Sequence, residues 1–411
     1  MFYIKLKKDY KIRIFIIFLS LLYIILIDYK KHDNYKFISK NLSPALSDEK
    51  NNSAKNNLIE IKDRSKILSK GRKFLDKCLK TDNNNFYEKN DNPIITTIIP
   101  SYNCQKTIIS TVHSVQYQNC TNIEIIIVDD FSTDKSREII RNIQSQDKRL
   151  VMIENKKNMG TLYSRCIGAL LSKGQYIFCL DNDDLFFDED VFDYVYKESK
   201  KDNLDIVSFR ALYFNDYFDD IYKMKNFQFF NFQNNLFLTQ PKLGIWTLTL
   251  NGKYRMHNHM IWSKSIKTNI YIKAVNILGI QRYTKYVCWA EDTSINFIIF
   301  NIALSFKYIH KFGYIHIVKK TSATFTQNKN NKLYGELYYL DIMFEFLKNN
   351  TEKNFVVEEA LKIKNRYKIN KVNNNTNANY LKSILYKIIN SQFINIKNKK
   401  KIKFYFRNFF I

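Results

Sequence analysis

The chain reads as an α/β protein with a mostly parallel central sheet flanked by helices. Three observations predict this: four apolar runs of strand length, three intervening segments of helical period, and a cluster of Asp, Asn or Ser wherever a run stops. The first run is Ile94 to Ile99, after which Ile108, Ile109, Val112 and Val115 recur at helical spacing. His113 lies among these apolar positions and reads as packing or surface. Ile123 to Val128 is the second run. Ser132, Thr133 and Asp134 then offer N-caps to a helix whose stripe is Ile139, Ile140 and Ile143, and Asp134 is read there as structural. The third run, Arg149 to Ile153, leads into a crossover from Asn158-Met159-Gly160 to Lys173-Gly174, with Gly174 read as a C-cap. Tyr176 to Leu180 is the fourth.

Ligands of such sheets sit at the carboxyl ends of the strands. Those ends carry Pro100-Ser101-Tyr102-Asn103, Asp129-Asp130, Asn155 to Gly160, and Asp181-Asn182-Asp183-Asp184. One rim thus offers a ring for a base, carboxylates for a base N–H or ribose hydroxyls, and three carboxylates within four residues. Carboxylates so placed repel one another, and a hard divalent ion shared with a substrate diphosphate relieves that. A plain Asp/Asn turn is the structural alternative.

Thr97-Ile98-Ile99-Pro100-Ser101-Tyr102-Asn103, Ile126-Ile127-Val128-Asp129-Asp130-Phe131-Ser132-Thr133-Asp134 and Leu180-Asp181-Asn182-Asp183-Asp184 follow one another in the order and spacing of a known family. Residues 93 to about 185 resemble the nucleotide-binding half of a family 2 glycosyltransferase, an inverting enzyme of the glycosyltransferase-A fold. The resemblance implies a nucleotide-sugar donor, a UDP-sugar, and Mn2+ or Mg2+. It puts Pro100 and Tyr102 at the base, Asp130 with Asp129 beside it at uracil and ribose, and Arg165 near the base and diphosphate. Asp181 and Asp183 form the Asp-X-Asp signature, Asp183 as direct metal ligand and Asp181 as ribose contact and second metal candidate. Phe131 replaces the usual Gly of Asp-Asp-Gly-Ser, and Ser164-Arg165-Cys166 replaces the commoner Ala-Arg-Asn.

Inverting transfer needs a general base for the acceptor hydroxyl and compensation for charge growing on the leaving diphosphate. By the same resemblance Asp292 of Trp289-Ala290-Glu291-Asp292 is the base and Glu291 the second choice. Acidic residues also favour the first turn of any helix. His316 stands as a candidate to complete the metal shell, and Lys319 and Lys320 as diphosphate contacts. His257 and His259, which resemble a metal pair on one strand face, fall in the acceptor-side region as pocket or surface residues, and Trp246 and Trp262 there either offer aromatic faces to sugar rings or pack in the core.

The expected organisation is a tail and signal anchor at 1–32 (apolar run 14–27), a polar stem at 33–92, a transferase domain at 93–325 divided at 185, and a helical, basic extension at 326–411. Lys5, Lys7, Lys8, Lys11 and Arg13 before the apolar run favour a single-pass type II anchor in the Golgi or endoplasmic reticulum, with the catalytic domain lumenal. A cleaved signal or a surface-lying segment is the alternative. Sequons at Asn41, Asn51, Asn119, Asn349 and Asn374 agree with a lumen. Six cysteines are too few for a disulfide framework, though Cys104 with Cys120 is an available pair.

A net charge of +26 raises the question of nucleic acid. The Lys excess is spread with Asn, Ile, Tyr and Phe over the whole length, without zinc spacing, RNP motif or confined basic stripe, so no nucleic-acid partner is expected. The expected partners are the nucleotide sugar, a glycan, glycolipid or glycoprotein acceptor, and the membrane. A noncatalytic nucleotide- or carbohydrate-binding module on the same fold is the alternative function. A nucleotidyltransferase would want a Gly-rich phosphate loop after the first strand, which Pro100-Ser101-Tyr102-Asn103 is not.

Overall fold

The computed structural model describes residues 69–80, 88–89, 91–215, 237–238, 246–248, 254–256, 260–318 and 328–347, with 363 and 383 as single positions. The expected anchor lies outside them, as do His257, His259, Lys319 and Lys320; Trp246 is described in its backbone alone. No helix among the described residues is long and apolar enough to cross a membrane.

Helix α1 (69–78) comes first. It falls in the stretch expected to be a stem, yet Phe74, Leu75 and Cys78 are buried in the core of the domain. Three apolar side chains on one helical stripe reward docking more than exposure.

The four runs form β1 (Ile95–Ser101), β2 (Ile123–Asp129), β3 (Leu150–Glu154) and β4 (Tyr176–Cys179), separated by α2 (Ile108–Gln116), α3 (Ser136–Gln146) and α4 (Thr161–Leu171). Every position of β1, β2 and β4 is buried, as apolar residues on both faces require. Strand alternation explains the layers: Ile95 and Ile99 join the core shared with Ile108, Val112 and Ile140, while Ile98 points to Gly168 of α4. After β4 come β5 (Leu185–Phe186), α5 (Val191–Lys201), β6 (Ile206–Asn215) and the short β7 (Phe237–Leu238), β8 (Trp246–Leu248) and β9 (Tyr254–Met256). The described part closes with β10 (Lys264–Lys267), α6 (Thr268–Leu278), α7 (Ile280–Tyr283), α8 (Glu291–Ile302), β11 (Phe306–Val318) and α9 (Lys329–Phe346).

Nine strands form one sheet in the order β3-β2-β1-β4-β10-β6-β11-β5, with β7 on β11. The sheet is mixed, which corrects the mostly parallel expectation. β1 to β4 pair in parallel, and so do β6 and β11, but β10 runs antiparallel between β4 and β6, and β5 and β7 run antiparallel to β11. The parallel half ends where the chain stops alternating strand with crossover helix and β10 inserts antiparallel between β4 and β6.

Two further expectations are revised. Helix α4 ends at Leu171 with Ser172 as its C-cap, and Gly174 serves another purpose. A Cβ there would stand 2.5 Å from the Thr96 amide nitrogen, so only Gly lets the turn lie against β1 and donate its N–H to Thr96 Oγ1 at 2.9 Å. Cys104 and Cys120 are free, as are the other four thiols. His113 is buried, its Nδ1 2.9 Å from the Cys78 carbonyl oxygen, and burial holds it below its ordinary pKa. Asp134 accepts the Ser136 N–H at 2.9 Å at the start of α3, the structural role expected of it.

Candidate active site

The carboxyl ends of β1, β2 and β4 build the rim. Ser101 at the tip of β1 accepts the Asp130 N–H at 2.7 Å, and Tyr102 beyond it is 46% exposed, available to a ligand. Pro100 lies within buried β1. At the tip of β2 the two aspartates divide. Asp129 is fully buried and accepts from the Ser132 N–H at 3.0 Å and Arg137 Nε at 2.6 Å, which makes it the brace of the turn rather than part of the surface. Asp130 accepts the N–H groups of Met159 and Gly160 at 2.7 Å each and the Asn155 amide at 2.8 Å. Its carboxylate therefore fixes the loop that leads into α4.

Gly160 needs its glycine: φ is +89° and a Cβ would meet the Val287 carbonyl oxygen at 3.2 Å and the Tyr286 ring at 3.3 Å. Tyr286 is itself 51% exposed, and burial is the main cause that raises its hydroxyl pKa, with Cys288, Asp130 and Tyr102 nearby adding to it. Nothing in the sequence distinguishes it from the other tyrosines.

The Asp181–Asp184 turn hangs from the start of α2, where the hydroxyls of the N-cap residue Thr107 and of Thr111 donate to the Asn182 carbonyl at 2.8 Å and the Asp184 carbonyl at 3.0 Å. Asp181 and Asp183 are half-buried. Asp184, a residue the Asp-X-Asp pattern passes over, is completely buried and accepts from Tyr314 Oη and His316 Nδ1 at 2.8 Å each and from the Ile317 N–H at 2.7 Å. Burial works against the His316 cation, but Asp184, with Asp181 and Asp183 nearby, outweighs it and lifts His316 to about 9. Trp262 stacks on His316 at 5.3 Å and on Tyr314 at 4.8 Å between ring centroids, so of its two expected places it takes core packing.

Arg165, one turn into α4, is 3% exposed and joins the two acidic groups. Its Nη2 donates to Asp181 at 2.6 Å, its Nη1 donates to Asp292, and Glu291 lies 3.7 Å from the same nitrogen. Its Nε has no partner among the described residues. Glu291 and Asp292 begin α8, and Ile261 donates its N–H to Asp292 at 3.3 Å. Burial, reinforced by Asp292, pushes Glu291 up to about 7 against the pull of Arg165. Burial also raises Asp292, opposed by Arg165. The Lys264 ammonium, near Asp292, is pushed down to about 7 by burial.

Strain gathers here. Of the described non-glycine residues with positive φ, Asn103 (47°), Phe131 (69°), Ser263 (52°) and Ala290 (58°) flank Tyr102, Asp130, Trp262 and Glu291 respectively. Such conformations cost on the order of 1–3 kcal/mol each and persist where surrounding contacts hold them. Phe131 thus keeps the left-handed turn for which Gly would be ordinary, with the Arg137 guanidinium 5.1 Å from its ring centroid.

Among the described residues no three His, Cys, Asp or Glu side chains gather closely enough to hold an ion alone. Mg2+ and Mn2+ usually bind through one or two carboxylates plus substrate phosphates. Asp183 with the Asp184-braced His316 fits that need, since a metal-binding His commonly has its other ring nitrogen held by a carboxylate.

The Escherichia coli UDP-Glc:alpha-D-GlcNAc-diphosphoundecaprenol beta-1,3-glucosyltransferase WfaP is 43% identical over 91 residues, 22% of this chain and 36% of that protein. The putative teichuronic acid biosynthesis glycosyltransferase TuaG of Bacillus subtilis is 38% identical over 92 residues, again 22% and 36%. The chain thus spans little more than a third of the length of these curated relatives. The fold is shared with S. aureus TarS in complex with UDP-GlcNAc, at a TM-score of 0.51 and 14% identity over 76% of this chain and 91% of that one. Residues 96–262 match glycosyl transferase family 2, which makes that stretch of the chain a family 2 glycosyltransferase domain.

Proposed function

We propose that the domain transfers a hexose or N-acetylhexosamine from a UDP-sugar to an acceptor hydroxyl with inversion, aided by a divalent cation. The observation that carries this is the reach of Arg165, which brings the strand-end Asp181 and the helix-start pair Glu291–Asp292 to one guanidinium. An in-line displacement at an anomeric carbon needs a base on one side and a stabilised diphosphate on the other.

Asp292 is the proposed base, with Glu291 beside it; the carboxylate takes the acceptor proton as the hydroxyl attacks. Arg165 faces the donor, and its buried Nε is a donor group suited to phosphate oxygen. Tyr102 offers its exposed ring to the base, while Asp130 holds the loop that leads into α4. Asp183 and His316 would hold Mn2+ or Mg2+, which would offset charge on the departing diphosphate.

The name of WfaP specifies a UDP-Glc donor and a diphosphoundecaprenol-linked acceptor, which supports extending the proposal to a UDP-sugar donor and a glycolipid acceptor. A membrane anchor at 14–27 belongs to the same proposal. The Golgi or endoplasmic reticulum gains no support from the relatives named above, which are bacterial.

The test is thermal stabilisation of the full chain by nucleoside diphosphates and UDP-sugars with and without Mn2+. A Mn2+-dependent rise in Tm with UDP and one UDP-sugar is the expected result. No shift with any nucleotide would move the domain towards a noncatalytic module.

A further inference from the structure

Lys264, in β10, is 1% exposed and has so far entered no step. Its Nζ donates to the Met260 carbonyl and, at 3.5 Å, to that of Trp262. Removing an ammonium from water is costly, and two carbonyls repay only part of that cost. The turn they close touches both ends of the site. Within it, the Ile261 N–H holds Asp292 at 3.3 Å, and the Trp262 ring stacks on His316 beside the Asp-X-Asp carboxylates. Asn296 of α8 donates to the same Met260 carbonyl at 3.0 Å, which ties the turn to the helix that carries Asp292.

The groups facing Lys264 are the Asp292 carboxylate from α8 and the Cys179 thiol from β4. Those facing Asp292 are Arg165 from α4, the Cys179 thiol from β4, Asp181 after β4, Lys264 from β10, and Glu291 alongside it. Arg165 is shared among three carboxylates, so Lys264 is the second cation of the cluster.

We propose that Lys264 is a positioning residue for glycosyl transfer: through the turn 260–263 it holds the base Asp292 in register with the Asp181–Asp184 rim. The inference rests on the transferase reading above.

The experiment compares the full chain with Lys264→Met and Lys264→Gln, the latter keeping a donor for the two carbonyls without the charge. UDP release from UDP-glucose and UDP-GlcNAc is followed with Mn2+ across pH, and UDP binding is measured by calorimetry. The expected result is a fall in kcat of about 10- to 100-fold with donor KM and UDP affinity within about twofold of wild type. The acidic limb of the rate profile should move to higher pH, because losing a nearby cation raises a carboxylate pKa. In an Asp292→Asn background the same substitutions should cost nothing further.

Unchanged kcat, an unmoved limb, or a parallel loss of UDP binding in both variants would overturn the assignment and make Lys264 a structural residue. A wild-type chain that releases UDP from neither donor would fail the transferase reading itself and take the assignment with it.

Discussion

Asp181 and Asp292 accept from two nitrogens of the same guanidinium, Arg165 offering Nη2 to the first at 2.6 Å and Nη1 to the second. One lies beyond the last parallel strand of the nucleotide half and the other at the head of a helix far along the chain. Arg165 therefore couples the proposed donor site to the proposed base. Replacing it with Ala leaves half-buried carboxylates without their counter-ion, a loss whose upper bound is the about 3–5 kcal/mol of a fully buried pair. Arg165→Ala should lower the urea midpoint and abolish turnover. Arg165→Lys should keep part of the stability, yet lose turnover because an ammonium cannot serve two carboxylates at fixed angles.

Glu291 makes stability and activity depend on pH in opposite directions. Its pKa in the fold is raised from 4.5 to about 7, so the folded chain binds that proton more tightly than the unfolded one. The resulting stabilisation is full below 4.5 and is lost as pH rises through about 7. Activity should climb over the same interval as the Glu291–Asp292 pair ionises. Glu291→Gln should flatten the stability profile, measured by urea unfolding from about pH 4 to about pH 8, while Asp292→Asn should retain UDP binding and lose transfer.

Asp184 should matter to the cation without touching it. Removing a carboxylate that orients a metal-binding His typically costs 10- to 100-fold in affinity, so Asp184→Asn should weaken Mn2+ binding by about that factor in the presence of UDP. Titration of Mn2+ by calorimetry reads this. Equal affinity in the variant would remove His316 from the shell. Without metal, the raised His316 pKa adds stability that is full below 6.5 and lost as pH rises through about 9.

Tyr102 is expected to contribute stacking. Base–aromatic stacking is worth about 1–3 kcal/mol by alanine substitution, so Tyr102→Ala should weaken UDP binding roughly 5- to 150-fold and Tyr102→Phe very little. Tyr286→Ala should weaken it as well if the second exposed ring faces the base; no change in calorimetric affinity would confine Tyr286 to supporting Gly160.

The nucleotide half was legible because its signals are local. Apolar runs give the strands, and polar residues at their ends give Tyr102, Asp130 and Asp181 in sequence order. The rest depends on partners distant in the chain. Asp184 looks like one more acid in an acidic turn until Tyr314, His316 and the Ile317 N–H arrive from β11. Asp129 looks equivalent to Asp130 until Arg137 claims it. The antiparallel insertion of β10 had no signal, because Ser265 and Lys267 do not read as strand residues and their pairing with β4 and β6 is set by tertiary contacts. Lys264 escaped notice because a lysine in a Lys-rich chain is presumed to be at the surface.

The free thiols of the described core have a practical consequence. Cys78, Cys104, Cys120, Cys166 and Cys179 sit in α1, beside β1, after α2, in α4 and in β4, each sealed from solvent. A thiol held protonated and inaccessible reacts with an alkylating reagent only when the element around it opens. The chain therefore carries its own set of clocks. Their labelling rates, read by mass spectrometry with and without a nucleotide, would rank which elements breathe and which a ligand quiets, with no substitution made.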